Sequence, residues 1–211
     1  MLCLVHQGVV VIETVKQRLR RVLSRRQKQR LINADRVAAA VLLPLYWKQG
    51  AYYLLFTKRT ESVKEHKGQI SFPGGVYQAE DETLLVTALR ECAEEIGLAS
   101  DEVEVLGELD DVETLTSNYI ISPFVALISW PFSLNVNRRE IEEIIEVPLQ
   151  ALMENDSVRY GTETIDGEEV TSYFYCYQGS VIWGATAGIL NQFLHAFAQA
   201  NKHTTVYGEA T

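Results

Sequence analysis

A chain of 211 residues, 47% hydrophobic and 22% charged, can bury the core of one globular domain and has no apolar run long enough to span a membrane. Its net charge of −9 argues against general nucleic-acid binding. Three widely spaced cysteines, Cys3, Cys92 and Cys176, offer neither a disulfide framework nor a Cys metal site, and they point to a reducing, cytoplasmic setting.

Met1 to Val15 is partly apolar but is interrupted by His6, Gln7 and Glu13, so it does not read as a signal peptide. Thr14 to Leu31 is predicted helical, rich in Lys and Arg, with a stripe of Val15, Leu19, Val22, Leu23 and Leu31. Two readings stand for it: a solvated helix pinned by that stripe, or a face for an anionic ligand or partner. Residues 1–36 are therefore expected as an N-terminal helical extension, residues 37–200 as the main domain and residues 201–211 as a tail.

Val37 to Tyr46 is a near-continuous apolar run, expected as a buried strand. Gln49-Gly50 is a turn, and Ala51 to Arg59 is a second strand that ends in cations. Lys58, Arg59, Lys64, His66 and Lys67 collect just ahead of a Pro73-Gly74-Gly75 corner. Cations beside a glycine corner suit a polyphosphate, because backbone without side chains approaches the oxygens closely.

The stretch after Gly75 predicts a helix that carries Arg90, Glu91, Glu94 and Glu95 and is stopped by Gly97. At about 100° per residue the three glutamates share one face, while Leu85, Ala88, Leu89, Cys92 and Ile96 form the core face. Crowded carboxylates repel unless they are solvated or gathered around a cation, and oxygen-only ligands favour a hard ion, Mg²⁺ or Mn²⁺. Arg90, four residues before Glu94, can brace that carboxylate.

Further strands are predicted over Glu102 to Leu109 and Ile121 to Ile128, with Asp110 and Asp111 between them as turn acids. Glu140 and Glu143 lie in an acidic stretch ahead of Pro148, which starts a short helix. Val158 to Ile165 and Val170 to Tyr177 read as a hairpin around Asp166-Gly167. The run Trp183-Gly184-Ala185-Thr186 opens a last amphipathic helix to about Asn201.

Arg90, Glu91, Cys92, Glu94, Glu95, Gly97 and Leu98 fill the pattern R-E-U-x-E-E-x-G-U, with U apolar, and on these residues the chain resembles the Nudix hydrolases. The family's earlier Glu falls on Glu82, with Asp81 beside it as the other candidate for the helix start. The opening glycine is Gly75, one place early. Upstream, Leu55, Thr57, Arg59, Gly68 and Phe72-Pro73-Gly74-Gly75 match a motif of the coenzyme A pyrophosphatases of this family. Phe56, Thr60 and Lys64 depart from that motif.

The resemblance implies a mixed β-sheet sandwiched between helices (α/β/α) and metal-dependent hydrolysis of a pyrophosphate bond in a nucleoside diphosphate derivative. It implies Glu91 and Glu95 as ligands of Mg²⁺ or Mn²⁺, and Arg90 as the group orienting the carboxylates. Glu94 shares the shell or takes a proton from water, with Glu140 or Glu143 as rivals. Gly74 and Gly75 would present backbone N–H groups to phosphates, with Arg59, Lys64 and His66 binding substrate. Arg59 and Lys64 would meet the extra 3′ phosphate of coenzyme A. The expected partner is a small-molecule nucleotide, with no nucleic acid and no membrane, and a homodimer is allowed for. An ADP-ribose or NADH-type pyrophosphatase and a non-catalytic nucleotide sensor remain as alternatives.

Overall fold

Val37–Lys48 (β1) and Ala51–Arg59 (β2) form an antiparallel hairpin across Gln49 and Gly50. Both turn residues have positive φ, 49° and 85°, as a two-residue hairpin turn requires. The computed structural model describes residues 14–61, 68–115, 117–165 and 168–202. Lys64, His66, Lys67 and the turn residues Asp166 and Gly167 lie outside the described residues.

The remaining strands of the main sheet are Ile70–Ser71 (β3), Gly74–Val76 (β4), Val103–Glu108 (β5), Val112–Glu113 (β6), Tyr119–Ile128 (β7) and Ile141–Pro148 (β8). Their order is β3-β2-β1-β7-β5, with β4 on β1, β6 on β7 and β8 on β2. β1 and β7 run parallel from Val37↔Tyr119 to Leu45↔Leu127, whereas the other pairs are antiparallel, so the sheet is mixed. Val158–Ile165 (β9), Glu168–Tyr177 (β10) and Ser180–Ile182 (β11) form a second, antiparallel sheet, and its β9–β10 register is that of the expected hairpin.

Helices cover both faces. Leu84–Ile96 (α2) lays Ala88, Cys92 and Ile96 on Ala40, Leu42, Tyr46 and Leu55. On the other face Val15–Arg25 (α1) and Gly184–Lys202 (α4) pack Leu19, Leu23, Leu190 and Phe193 against Leu43, Leu45, Leu54 and Val125. Leu149–Met153 (α3) is the short helix expected after Pro148. The arrangement is the α/β/α sandwich that the resemblance implied.

The N-terminal segment departs from expectation. The helix predicted to reach Leu31 ends at Arg25, and Arg26 is already extended. The reason lies in Asp110 and Asp111, which are more than turn acids. Asp110 accepts from Gln29 N at 3.0 Å and Arg26 Nη2 at 2.6 Å, while Asp111 accepts from Leu31 N at 3.0 Å and Ser122 Oγ at 2.6 Å. Lys28 Nζ bridges Glu108 at 2.7 Å and Asp111 at 2.9 Å. Backbone donors bound by these carboxylates are not available to continue a helix.

Leu19 of α1 is fully buried in the main core. Replacing it by Ala is expected to cost about 2–5 kcal/mol of unfolding free energy, read by urea denaturation of the whole chain. A helix that is merely appended would leave the main transition unmoved.

Candidate active site

The glycine corner is not a turn. Gly74–Val76 is strand β4, in register with β1 through Val41↔Gly74 and Ala40↔Gly75. A Cβ on Gly74 would sit 2.3 Å from the Ala40 carbonyl oxygen, so only glycine permits this approach. A Cβ on Gly75 would lie 2.4 Å from Glu91 Cδ and 2.6 Å from both of its carboxylate oxygens. The missing side chain of Gly75 is therefore the space that the Glu91 carboxylate occupies. Gly75→Ala is expected to push that carboxylate aside, lowering kcat/KM by about a hundredfold while the thermal transition stays cooperative. Steady-state kinetics beside a melting curve checks this.

Helix α2 is delimited by Thr83, whose Oγ1 accepts from Val86 N at 3.2 Å, and by Gly97, left-handed at φ 77°. The three signature glutamates do not share one environment. Glu94 is exposed, Glu91 is half-buried and Glu95 is 3% exposed. Glu95 Oε2 accepts from Gly74 N at 3.2 Å, and Glu95 Oε1 accepts from Arg59 Nη1 at 3.3 Å. The Gly74 N–H, expected to face phosphate, is thus turned to the Glu95 carboxylate. Burial pushes Glu95 up to about 7, helped by Glu91 and Glu140 and opposed by the Gly74 N–H and Arg59. Burial also raises Glu91 above the usual carboxylate range, with Arg90 opposing and Glu94 and Glu140 adding to the rise.

Arg90 uses all five of its N–H groups. Nε and Nη2 each donate to Asp81 at 2.9 Å, Nη2 also reaches Val76 O at 3.1 Å, and Nη1 reaches Glu91 at 2.8 Å and Glu94 at 3.4 Å. This settles the choice between the two acids at the helix start. Asp81 is buried and also accepts from Thr87 Oγ1 at 2.8 Å and Gln78 N at 3.1 Å, whereas Glu82 is exposed. The available signal was Thr87, a hydroxyl next to Ala88 on the buried side of the helix, which needs a polar partner.

Glu140 comes to the same place from outside the helix. Asn137 N donates to Glu95 O at 2.9 Å, and Asn137 Nδ2 donates to Glu140 Oε1 at 3.1 Å. Thr60 N donates to Glu140 O at 2.8 Å, so the loop is tied to both β2 and α2. Asn137 was not singled out in the sequence, because only the fold shows which glutamate it steadies. Glu143 is exposed and stands opposite Lys58 on the neighbouring strand, and Lys58 pairs outward with Glu142 at 3.3 Å.

Glu91 and Glu95 offer oxygen-only donors whose burial and mutual repulsion, with Glu140 adding to it, a hard divalent cation would relieve, and in that respect the residues fit one. Among the described residues, no three acidic, His or Cys side chains are already drawn together as an ion cage. Arg59 and Arg90 hold the carboxylates instead.

Two cations of the basic helix α1 are ion-paired: Lys16 and Arg20 each meet Glu104 at 2.8 Å. A separate hollow of about 620 Å³ lies on the face opposite α2, lined by Arg21, Val22, Arg25, Arg26, Gln199 and Lys202. Two helix C-termini meet there, and cations complement their carbonyl ends. No helix among the described residues is long and apolar enough to cross a membrane.

Comparison with known proteins agrees with this geometry. The NUDIX domain family model matches residues 35–166. An uncharacterized Nudix hydrolase, NudL, of Photorhabdus laumondii is 39% identical over 154 residues, covering 73% of this chain and 81% of the relative. NudL of Enterobacter sp. (strain 638) is 33% identical over 160 residues, covering 75% and 81%. Among solved structures, a MutT/nudix family protein from Enterococcus faecalis superimposes with a TM-score of 0.55 at 14% identity, over 83% of this chain and 66% of that one, a likeness of fold. With Arg90, Glu91, Glu94 and Glu95 on one helix behind a glycine strand, and with that match spanning more than half its length, the chain belongs to the Nudix hydrolases, enzymes of nucleoside diphosphate derivatives that generally use divalent cations such as Mg²⁺ or Mn²⁺.

Proposed function

We propose that this enzyme hydrolyses the diphosphate of coenzyme A or an acyl derivative, giving a 3′,5′-ADP-type product and phosphopantetheine. The observation that carries the reading is the meeting of two motifs. Arg59, from the upstream stretch that resembles the coenzyme A pyrophosphatases, donates to Glu95 of the signature helix at 3.3 Å.

A Mg²⁺ or Mn²⁺ ion held by Glu91 and Glu95 would neutralise charge that builds on the phosphate oxygens. Water attacks one phosphorus, the bridging P–O bond breaks, and the departing phosphate ester keeps its electron pair. The proton of the water passes to a carboxylate. Glu140 takes it: its charge is felt by both Glu91 and Glu95, and Asn137 fixes its orientation. Glu94, with 59% of its side chain exposed, stays on the solvent side of the shell, steadied by Arg90. Arg90 orients Glu91 and Glu94 and is itself locked by Asp81. Gly74 aims Glu95, and Gly75 makes room for Glu91. Lys64 and His66, substrate-binding candidates of the loop, lie outside the described residues.

The test is a panel of coenzyme A, dephospho-coenzyme A, ADP-ribose and NADH with Mg²⁺ or Mn²⁺ and identification of products. Coenzyme A is expected to give the highest kcat/KM. Preference for ADP-ribose or NADH overturns the substrate assignment. Tight nucleotide binding with no phosphate ester released overturns catalysis and favours a sensor.

A further inference from the structure

The geometry points to Arg59 as the side chain that grips the substrate's diphosphate, not its 3′ phosphate, with Glu95 as the carboxylate that aims it. The inference rests on the diphosphate-cleaving reading above. Strand β2 pairs with β8 in regular register up to Lys58↔Glu143, and the register then slips between Lys58 and Arg59. Such a bulge re-aims the side chain that follows it. Lys58 accordingly turns to Glu142 on the surface, whereas Arg59 turns inward, with 26% of its side chain exposed.

There Arg59 Nη1 donates to Glu95 Oε1 at 3.3 Å, the acceptor that the guanidinium meets among the described residues. Among the described residues its buried Nε–H has no hydrogen-bond partner. A buried, charged donor without an acceptor is costly, and fixed so close to the signature glutamates it is matched by an oxyanion arriving at them. The oxyanion that the reaction brings to Glu91 and Glu95 is the diphosphate. The 3′ phosphate of coenzyme A is separated from that diphosphate by the ribose, whereas the arginine is tethered to Glu95. The discrimination of that group therefore falls to residues other than Arg59.

Arg59→Met and Arg59→Lys test this in the full-length chain. Arg59→Met is expected to lower kcat/KM for coenzyme A and dephospho-coenzyme A alike, by about 10- to 100-fold, leaving their ratio within about twofold. Arg59→Lys keeps the charge but loses the fork, and is expected to recover only part of the loss. Binding of inorganic pyrophosphate with Mg²⁺, measured by calorimetry, is expected to weaken about tenfold or more in Arg59→Met. Loss of only the preference for coenzyme A over dephospho-coenzyme A overturns the inference. So does unchanged pyrophosphate affinity with a lowered melting point, which marks a structural arginine, or a wild type that binds no pyrophosphate. If the wild type cleaves neither coenzyme A form, the substrate reading falls, but the pyrophosphate measurement still decides Arg59. Should Arg59→Met not fold, Arg59→Lys, which keeps a cation over Glu95, carries the comparison.

Discussion

Glu95→Gln is expected to remove at least about a thousandfold of metal-dependent kcat/KM, about 4 kcal/mol of transition-state stabilisation, while making the metal-free protein less sensitive to pH. Both halves follow from one fact: Glu95 is a carboxylate buried to 3% exposure, with a Gly74 N–H and one arginine as its partners. Burial raises it from an ordinary 4.5 to about 7 in the folded chain. Between those values the folded state binds more protons at this site than the unfolded state. Stability of the wild type in chelator therefore falls as pH rises from about 4.5 to about 7, and is flat on either side as far as this group is concerned.

Gln has the same shape and accepts the same Gly74 hydrogen bond without a charge to desolvate. Urea denaturation of both proteins in chelator at pH 5 and pH 8 reads the difference. The wild type is expected to lose ground relative to the variant at pH 8. Equal pH dependence in the two proteins would show that Glu95 is not forced out of its ordinary range. Because a cation must displace the proton, Mg²⁺ binding to the wild type should tighten as pH rises through about 7.

Asp81→Asn is the second large effect, and it acts through Arg90. Asp81 takes two hydrogen bonds from the guanidinium at 2.9 Å, in the bidentate geometry that a neutral amide cannot reproduce. Without it Arg90 turns toward its other acceptors and Glu91 is no longer held in register with Gly75. A loss of 10- to 100-fold in activity or metal affinity is expected, about the usual consequence of removing an orienting partner. Separate measurement of Mg²⁺ affinity and of kcat identifies which of the two carries the loss.

The acid side supplies an independent readout. The Arg90 guanidinium holds the Asp81 carboxyl well below its ordinary 3.8, against the opposing effect of burial. A group lowered in the folded state contributes stability that is fully present above its unfolded value and is lost as pH falls below it. The wild type should therefore weaken below about pH 4 with a component that Asp81→Asn lacks. Superimposable acid-unfolding curves would remove Asp81 from this role.

What was legible in the sequence was local. The apolar runs of β1 and β2, the 3.6-residue rhythm of Ala88, Cys92 and Ile96, and the stop at Gly97 each depend on neighbours within a turn or a pleat. So the strands and the signature helix could be read before any contact was known, while their assembly into a sandwich was implied only by the family resemblance. The helix end at Arg25 could not be read, because the competing acceptors, Asp110 and Asp111, stand more than eighty residues downstream. The glycine pair also looked like a turn, since composition alone does not show that β1 lies alongside to pair with it.

The sequence by itself determined which groups lie in the candidate site: a helix of carboxylates, an arginine among them and glycines ahead of them. Only the tertiary structure decided the surroundings and partners of each group. Glu95 is buried while Glu94 is solvated, Asp81 rather than Glu82 locks Arg90, and Glu140 joins from a loop tied to both β2 and α2. The physical reason is that a residue's type and spacing set its charge and its face, whereas its desolvation and its partners come from chain segments far away along the backbone.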